Sequence, residues 1–394
     1  MKNVDRTITK QVRLAASAFP AIVLTGPRRS GKTWLLKKLL PTATYFLFED
    51  PDVIDRFSRD PQGFLDTIQA PAIFDEIQHV PQVFNYLRSR IDKYPRRTAQ
   101  WFLTGSQESA LMQNVTESMA GRAAILQLLP MSHHESSKVS ILLGGYPEVL
   151  ARPKTATLWF ASYIQSYLEK DVRSISAVQD VAKFRRFMAL VAARHGQVVN
   201  KSNLAAALGM SVPGIGLWLD ILEATGIILL VQPYFNNLGK RLIKSPKLYI
   251  ADSGLACHLL GIETAAELQK SPFLGALFEG FIAAEIVKAQ LNAGRRRELY
   301  FFRDQQGLEV DFIVPKKGGN FQLVEVKASK TPLPDMAKPM QRLMAAWAAD
   351  PTFKNSKIDA VLVHQPKADP LHSTALVPSI RAVSWQHYIE NEIL

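Results

Sequence analysis

Three groups of residues carry chemistry by their types and spacing. The first is Gly26, Pro27, Arg28, Arg29, Ser30, Gly31, Lys32 and Thr33, a G-x-x-x-x-G-K-T run. An apolar, β-rich run at 21–25 precedes it, and a segment from Trp34 onward reads as a helix. Strand, glycine loop and helix in that order aim backbone N–H groups and a helix N-terminus at phosphates. Lys32 is then expected to reach the β- and γ-phosphate oxygens, with the Thr33 hydroxyl on Mg²⁺. The expected ligand is ATP, held by residues 26–34.

The second group is Asp75 and Glu76, roughly forty residues further on, at the end of the apolar run Ala72, Ile73, Phe74. Carboxylates at the C-terminal end of a buried parallel strand face a nucleotide. Asp75 is expected to hold magnesium through water, and Glu76 to polarise the attacking water as general base. A further apolar run ends in Thr104, Gly105 and Ser106. Thr104 or Ser106 either meets the γ-phosphate or caps the next helix. Arg122, ahead of the apolar run 123–129, is either a finger for the nucleotide of a neighbouring subunit or a surface arginine.

The third group lies near the C-terminus. Asp311 sits in EVDFIV, and Glu325 and Lys327 lie two apart, on one face of a strand. With Glu279 they would offer hard oxygen ligands to a second divalent metal, with the lysine beside the activated water. The alternative is a set of ion pairs tying Asp311 and Glu325 to Lys327 or Arg303.

These groups need elements to position them, and 394 residues suggest two or three domains. Residues 1–154 read as an α/β nucleotide-binding domain. Residues 155–255 read as helical, with Phe160, Tyr163, Ile164, Tyr167 and Leu168 at core spacing. Two short helices, 201–208 after Asn200 and 213–224 after Ser211, precede a hairpin of 227–234 and 240–251. Helix-turn-helix plus hairpin is the winged-helix pattern. In 256–394 the order helix, three strands, helix, strand is the αβββαβ core of restriction-endonuclease-like folds.

The chain carries 47 Lys+Arg against 35 Asp+Glu, a net charge of +12 that favours polyanions. Between 183 and 247 stand nine basic residues and two acids. The second short helix has no basic residue for reading bases. DNA contact is therefore expected through the backbone, by Lys240, Arg241 and Lys244 of the hairpin. The single cysteine, Cys257, excludes an intramolecular disulfide and suits a reducing cytoplasm. The N-terminus has no apolar signal core, and the longest apolar runs fall far short of the roughly 20 residues of a membrane span. A cytoplasmic protein without membrane contact is expected.

Taken together, GPRRSGKT, FDEIQ, FLTGS, GGYPE, YLEKDVR, YFNNLGKRLIKSPKLYIAD, EVDFIV and VEVKAS resemble one family. It is the prokaryotic AAA-type ATPases with a C-terminal domain of unknown function that looks like a PD-(D/E)xK nuclease. The resemblance implies an AAA-type ATPase, a homo-oligomer such as a hexamer, acting on DNA. It also gives Thr104 or Ser106 the role of γ-phosphate sensor. The chain departs from the family in a short segment at 130–144 and in the missing basic residues of the recognition helix. Two other functions fit the same motifs: a nucleotide-dependent switch that binds a protein partner, and an ATP-controlled nuclease.

Overall fold

The run Ala21–Thr25 is apolar and buried along its whole length, and it forms β1 at the heart of a parallel sheet. A computed structural model describes residues 4–105, 119–167, 180–234, 244–366 and 373–393. Around β1 stand β2 (Thr44–Leu47), β3 (Ala72–Asp75), β4 (Trp101–Thr104) and β5 (Ala123–Gln127), in the order β2-β3-β4-β1-β5. β1, β3 and β4 are buried at every residue, as strands covered on both faces must be. One face carries Phe48, Phe57, Phe64, Phe74 and Trp101; the other packs Ile8, Val12, Leu35 and Leu36. Asp50 and Asp60 cap the helices Pro51–Arg59 and Pro61–Asp66, each of which has proline in its first turn.

The second unit contains the expected helix pair. Lys201–Leu208 is capped by Asn200 and Val212–Ala224 by Ser211, and the two axes meet at 105°. Gly209 makes the turn in the left-handed region, φ 59°. Phe160 and Tyr163 are buried beside them, while the side chains of Tyr167 and Leu168 lie outside the described residues. β7 (Ile228–Pro233) and β8 (Lys247–Ile250) pair antiparallel, with β6 (Gln197–Val198) on the outer edge of β8.

The C-terminal elements follow the expected order. Helix Leu274–Asn292 leads to β9 (Tyr300–Arg303), β10 (Glu309–Lys316) and β11 (Asn320–Lys327), an antiparallel meander. Helix Lys338–Ala348 then returns the chain to β12 (Ile358–His364), parallel to β11. A hairpin, β13 (Ser373–Val377) and β14 (Ile380–Ser384), extends that edge. The hairpin of the second unit is not a separate sheet. β7 pairs with β9 through Gln232–Tyr300 and Pro233–Phe301, so one nine-stranded sheet runs across the expected boundary at 255.

Helix Leu274–Asn292 is buried nearly all round and holds this assembly together. No single helix among the described residues is long and apolar enough to cross a membrane.

Candidate nucleotide site and a second acid cluster

Between β1 and helix Lys32–Leu39 the loop adopts three left-handed residues: Gly26 at φ 133°, Arg29 at 62° and Gly31 at 100°. A Cβ on Gly26 would lie 2.1 Å from the Leu128 carbonyl oxygen, so the chain passes there only as glycine. Such alternations turn backbone N–H groups into a concave anion nest. Lys32 is buried, and its Nζ donates to the carbonyl oxygens of Gly26 (2.8 Å) and Pro27 (3.0 Å). Trp34 is 42% exposed beside the loop. Arg28 lies 3.5 Å from Glu49.

The parallel sheet brings the ends of β3 and β4 to the same edge. Asp75, buried, accepts from the hydroxyls of Thr33 (2.8 Å to Oδ2), Tyr45 (2.7 Å to Oδ2) and Thr104. Burial and the Asp75 charge push the Tyr45 phenol above its ordinary range, so it stays a donor. Thr33 and Asp75 form a compact pair of hard oxygens, a donor set that fits Mg²⁺. Glu76 follows at φ 58°, an uncommon conformation for glutamate, with its N–H on Thr104 Oγ1 (3.3 Å) and its carboxylate accepting from Gln78 (2.5 Å).

Thr104 is thus tied to Asp75 and Glu76, while Ser106 lies outside the described residues. Arg122 pairs with Asp92 at 2.6 Å. The register Ala21–Ala123 puts it at the end of the sheet opposite the loop of its own chain.

Sequence reasoning missed Tyr45 and Arg6. Arg6 is 4% exposed and donates to the Ser30 carbonyl inside the phosphate loop (2.8 Å) and to the Leu129 carbonyl (2.7 Å). Its Nε donates to Glu135 at 3.1 Å. Glu135 also accepts from the N–H groups of Thr7 (2.7 Å) and Ser132 (3.0 Å). Burial opposes the charge of Glu135, but Arg6 and these N–H groups outweigh it and hold the carboxyl below its usual range. Nothing local in MKNVDRT marks Arg6, because its partners are far away in sequence.

The C-terminal acids also converge, with an unexpected member. Lys327 Nζ is 2.6 Å from Glu325 and 3.9 Å from Asp311. Lys247, which is 2% exposed, reaches in from β8, 2.9 Å from Glu279, 3.8 Å from Asp311 and in contact with Glu309. Arg303 pairs with Glu309 at 3.4 Å, not with Asp311 or Glu325. The expected second metal site is corrected on this ground: among the described residues no three His, Cys, Asp or Glu side chains are arranged to hold a metal. The ammonium of Lys247, which the expected set did not include, stands among the acids instead. Of the expected DNA contacts, Lys244 is exposed, while Lys240 and Arg241 lie outside the described residues.

Burial and the nearby Asp311 push the Glu279 carboxyl up to about 7 and that of Glu325 up to about 8, each against the pull of its lysine. Lys327 is itself pushed up by Asp311 and Glu325 although burial opposes its charge. A proton shared among the acids, with the lysine charged, satisfies both directions. These raised carboxyls favour the fold most below about pH 4.5, and that advantage is lost as pH rises through about 7 to 8. Glu325→Gln is therefore expected to flatten the decline in urea-measured stability toward pH 9, by about 1 kcal/mol or more. Superimposable pH profiles would show Glu325 ionised throughout.

Comparison with known proteins covers the chain in three spans. Residues 18–137 match the model of an AAA domain, 135–266 a domain of unknown function (DUF8612) and 274–376 a domain of unknown function (DUF4143). The Walker-type ATPase PABY2304 of Pyrococcus abyssi aligns at 16% identity with a TM-score of 0.45, covering 66% of this chain and 96% of that one. A RuvB variant of Thermotoga maritima aligns at 16% identity with a TM-score of 0.31, covering 56% and 88%. Two uncharacterized proteins, Mb2031c of Mycobacterium bovis and Rv2008c of Mycobacterium tuberculosis, are 31% identical over 334 residues, 83% of this chain and 74% of theirs. The chain belongs to the family of these two mycobacterial proteins, and its N-terminal third is a P-loop domain of the AAA type.

Proposed function

We propose that the chain is a Mg²⁺-dependent ATPase that works on or near DNA as a homo-oligomer. The observation that carries the hydrolytic part is the convergence of Thr33, Tyr45 and Thr104 on Asp75, with Glu76 alongside, at the mouth of the phosphate loop. An incoming triphosphate replaces the Gly26 and Pro27 carbonyls as the partner of Lys32. Thr33 and Asp75 would hold the magnesium, which neutralises phosphate charge. Glu76, fixed by Gln78 and by its own strained backbone, takes the proton of the attacking water. Arg122, at the far end of the sheet, serves the nucleotide of a neighbouring subunit in this reading.

For DNA, the support is the 105° helix pair followed by antiparallel strands, the element order expected of a winged helix, together with the +12 charge and the exposed Lys244. Reversing Lys240, Arg241 and Lys244 to Glu is expected to weaken binding to all sequences alike. The slope of log affinity against log salt should fall by about one for each phosphate the hairpin no longer neutralises. An unchanged slope removes the hairpin as the contact surface. ATP turnover measured with single-stranded, duplex, forked and four-way DNA tests the proposal as a whole: stimulation by none of them counts against it.

One observation favours the second reading, a nucleotide switch on a protein partner. Helix Val212–Ala224 turns apolar Val212 and Leu217 outward, 43% and 45% exposed, and carries no Arg, Lys, Asn or Gln. Absence of DNA binding at low salt would select that reading. The nuclease reading is disfavoured by Lys247, an ammonium outside the expected set that occupies the middle of the acid cluster.

A further inference from the structure

Glu279, Glu309, Asp311 and Glu325 meet where helix Leu274–Asn292 crosses β10 and β11, and β8 delivers Lys247 into their midst. Burial opposes the charge on Lys247, but Glu279, Asp311 and Glu309 together outweigh it and hold the amine above its ordinary range. Tyr249, two residues on and on the same strand face, donates its hydroxyl to Glu279. Glu325 is served by Lys327, yet its Oε2 is buried with no hydrogen-bond partner. Asp311 Oδ2 accepts from the Val326 N–H at 2.9 Å. The cluster opens on a cleft of about 410 Å³ lined by Glu309, Asp311, Glu325, Lys327, Lys338 and Arg342.

We infer that Lys247 is the resident cation of this cluster, and that its ammonium holds the carboxylates in the arrangement that keeps a divalent metal out. Charge supports the assignment. Four carboxylates face Lys247, Lys327 and Arg303, so one negative charge remains, and a single shared proton neutralises it. A metal ion added to this set would lie within a few ångströms of the buried ammonium, where repulsion is weakly screened. Without Lys247, and with the shared proton released, the cluster carries two uncompensated charges, the complement of a divalent ion, and retains an unsatisfied buried oxygen. Oxygen ligands that close around an ammonium at hydrogen-bond distance would contract to the 2.0–2.6 Å range usual for Mg²⁺ or Ca²⁺.

The test is Mn²⁺ calorimetry on the full chain carrying Asp75→Asn, which silences the loop site. That parent is expected to show no Mn²⁺ binding at the cluster. Lys247→Met and Lys247→Gln should each gain one Mn²⁺ site, at least about tenfold tighter than any parental binding. Adding Glu325→Gln should abolish it. Thermal unfolding gives a second readout, since Mn²⁺ should raise the midpoint of the Lys247 variants and leave the parent unmoved. A stoichiometric Mn²⁺ site in the parent that disappears with Glu325→Gln would overturn the inference. So would Lys247→Gln protein that unfolds cooperatively and gains no Mn²⁺ binding or stabilisation.

Discussion

Glu76→Gln is expected to bind ATP about as tightly as the parent and to hydrolyse it about 10²–10⁴ times more slowly, the usual cost of losing a positioned general base. Glutamine keeps the size of the side chain and its contact with Gln78, so the loop and Asp75 stay where they are. Only the ability to take a proton is lost. Lys32→Ala should fail one step earlier. It deletes the cation that now rests on the Gly26 and Pro27 carbonyls, and with it tight binding of the triphosphate. Nucleotide titration and single-turnover hydrolysis separate the two effects. Equal turnover by Glu76→Gln and parent would remove Glu76 from the general-base role and leave the water to be oriented by another group.

Those two residues were legible in the sequence because their signals are local. A fully buried β1 followed by glycines, and β3 ending in Asp75 with Glu76 next to it, need no distant partner to be recognised. The C-terminal element order was legible for the same reason, with Leu274–Asn292, β10, β11 and β12 each within a few residues of expectation. Lys247 was not. Along the chain it stands in a basic stretch with the hairpin lysines, and sequence alone assigns it to their electrostatic footprint. Folded, it is 2% exposed and spent on Glu279 and Glu309, so the surface open to a polyanion is less basic than the stretch suggests. The joining of β7 to β9 rests on two residue pairs, and alternation within a strand does not say which edge it will meet. The boundary expected at 255 therefore falls within one sheet.

Arg6→Ala is expected to destabilise the chain by about 3–5 kcal/mol, and Glu135→Ala by a similar amount, because each strands a buried charge. The pair is nearly inaccessible, with side chains 3% and 0% exposed. Arg6→Met combined with Glu135→Leu should cost clearly less than the sum of the two, since neither charge is then left alone. Stability is only half of the expectation. Arg6 grips the Ser30 carbonyl within the phosphate loop, and Glu135 receives the Ser132 N–H in the segment that leaves the AAA domain. The next N–H, of His133, donates to Glu285 of the long central helix at 2.8 Å, and Lys288 on that helix holds the Met131 carbonyl. The loop is therefore hydrogen-bonded, through one buried pair and a short linker, to the helix that carries Glu279. Urea unfolding should report the broken pair, and ATP affinity should report the released loop. If Arg6 positions Ser30, the double variant recovers stability but still binds ATP more weakly than the parent. If the pair is only a brace, ATP affinity returns along with stability, and the link between nucleotide and central helix must run elsewhere, most directly through Pro27 and the turn at Gly226 that packs against it.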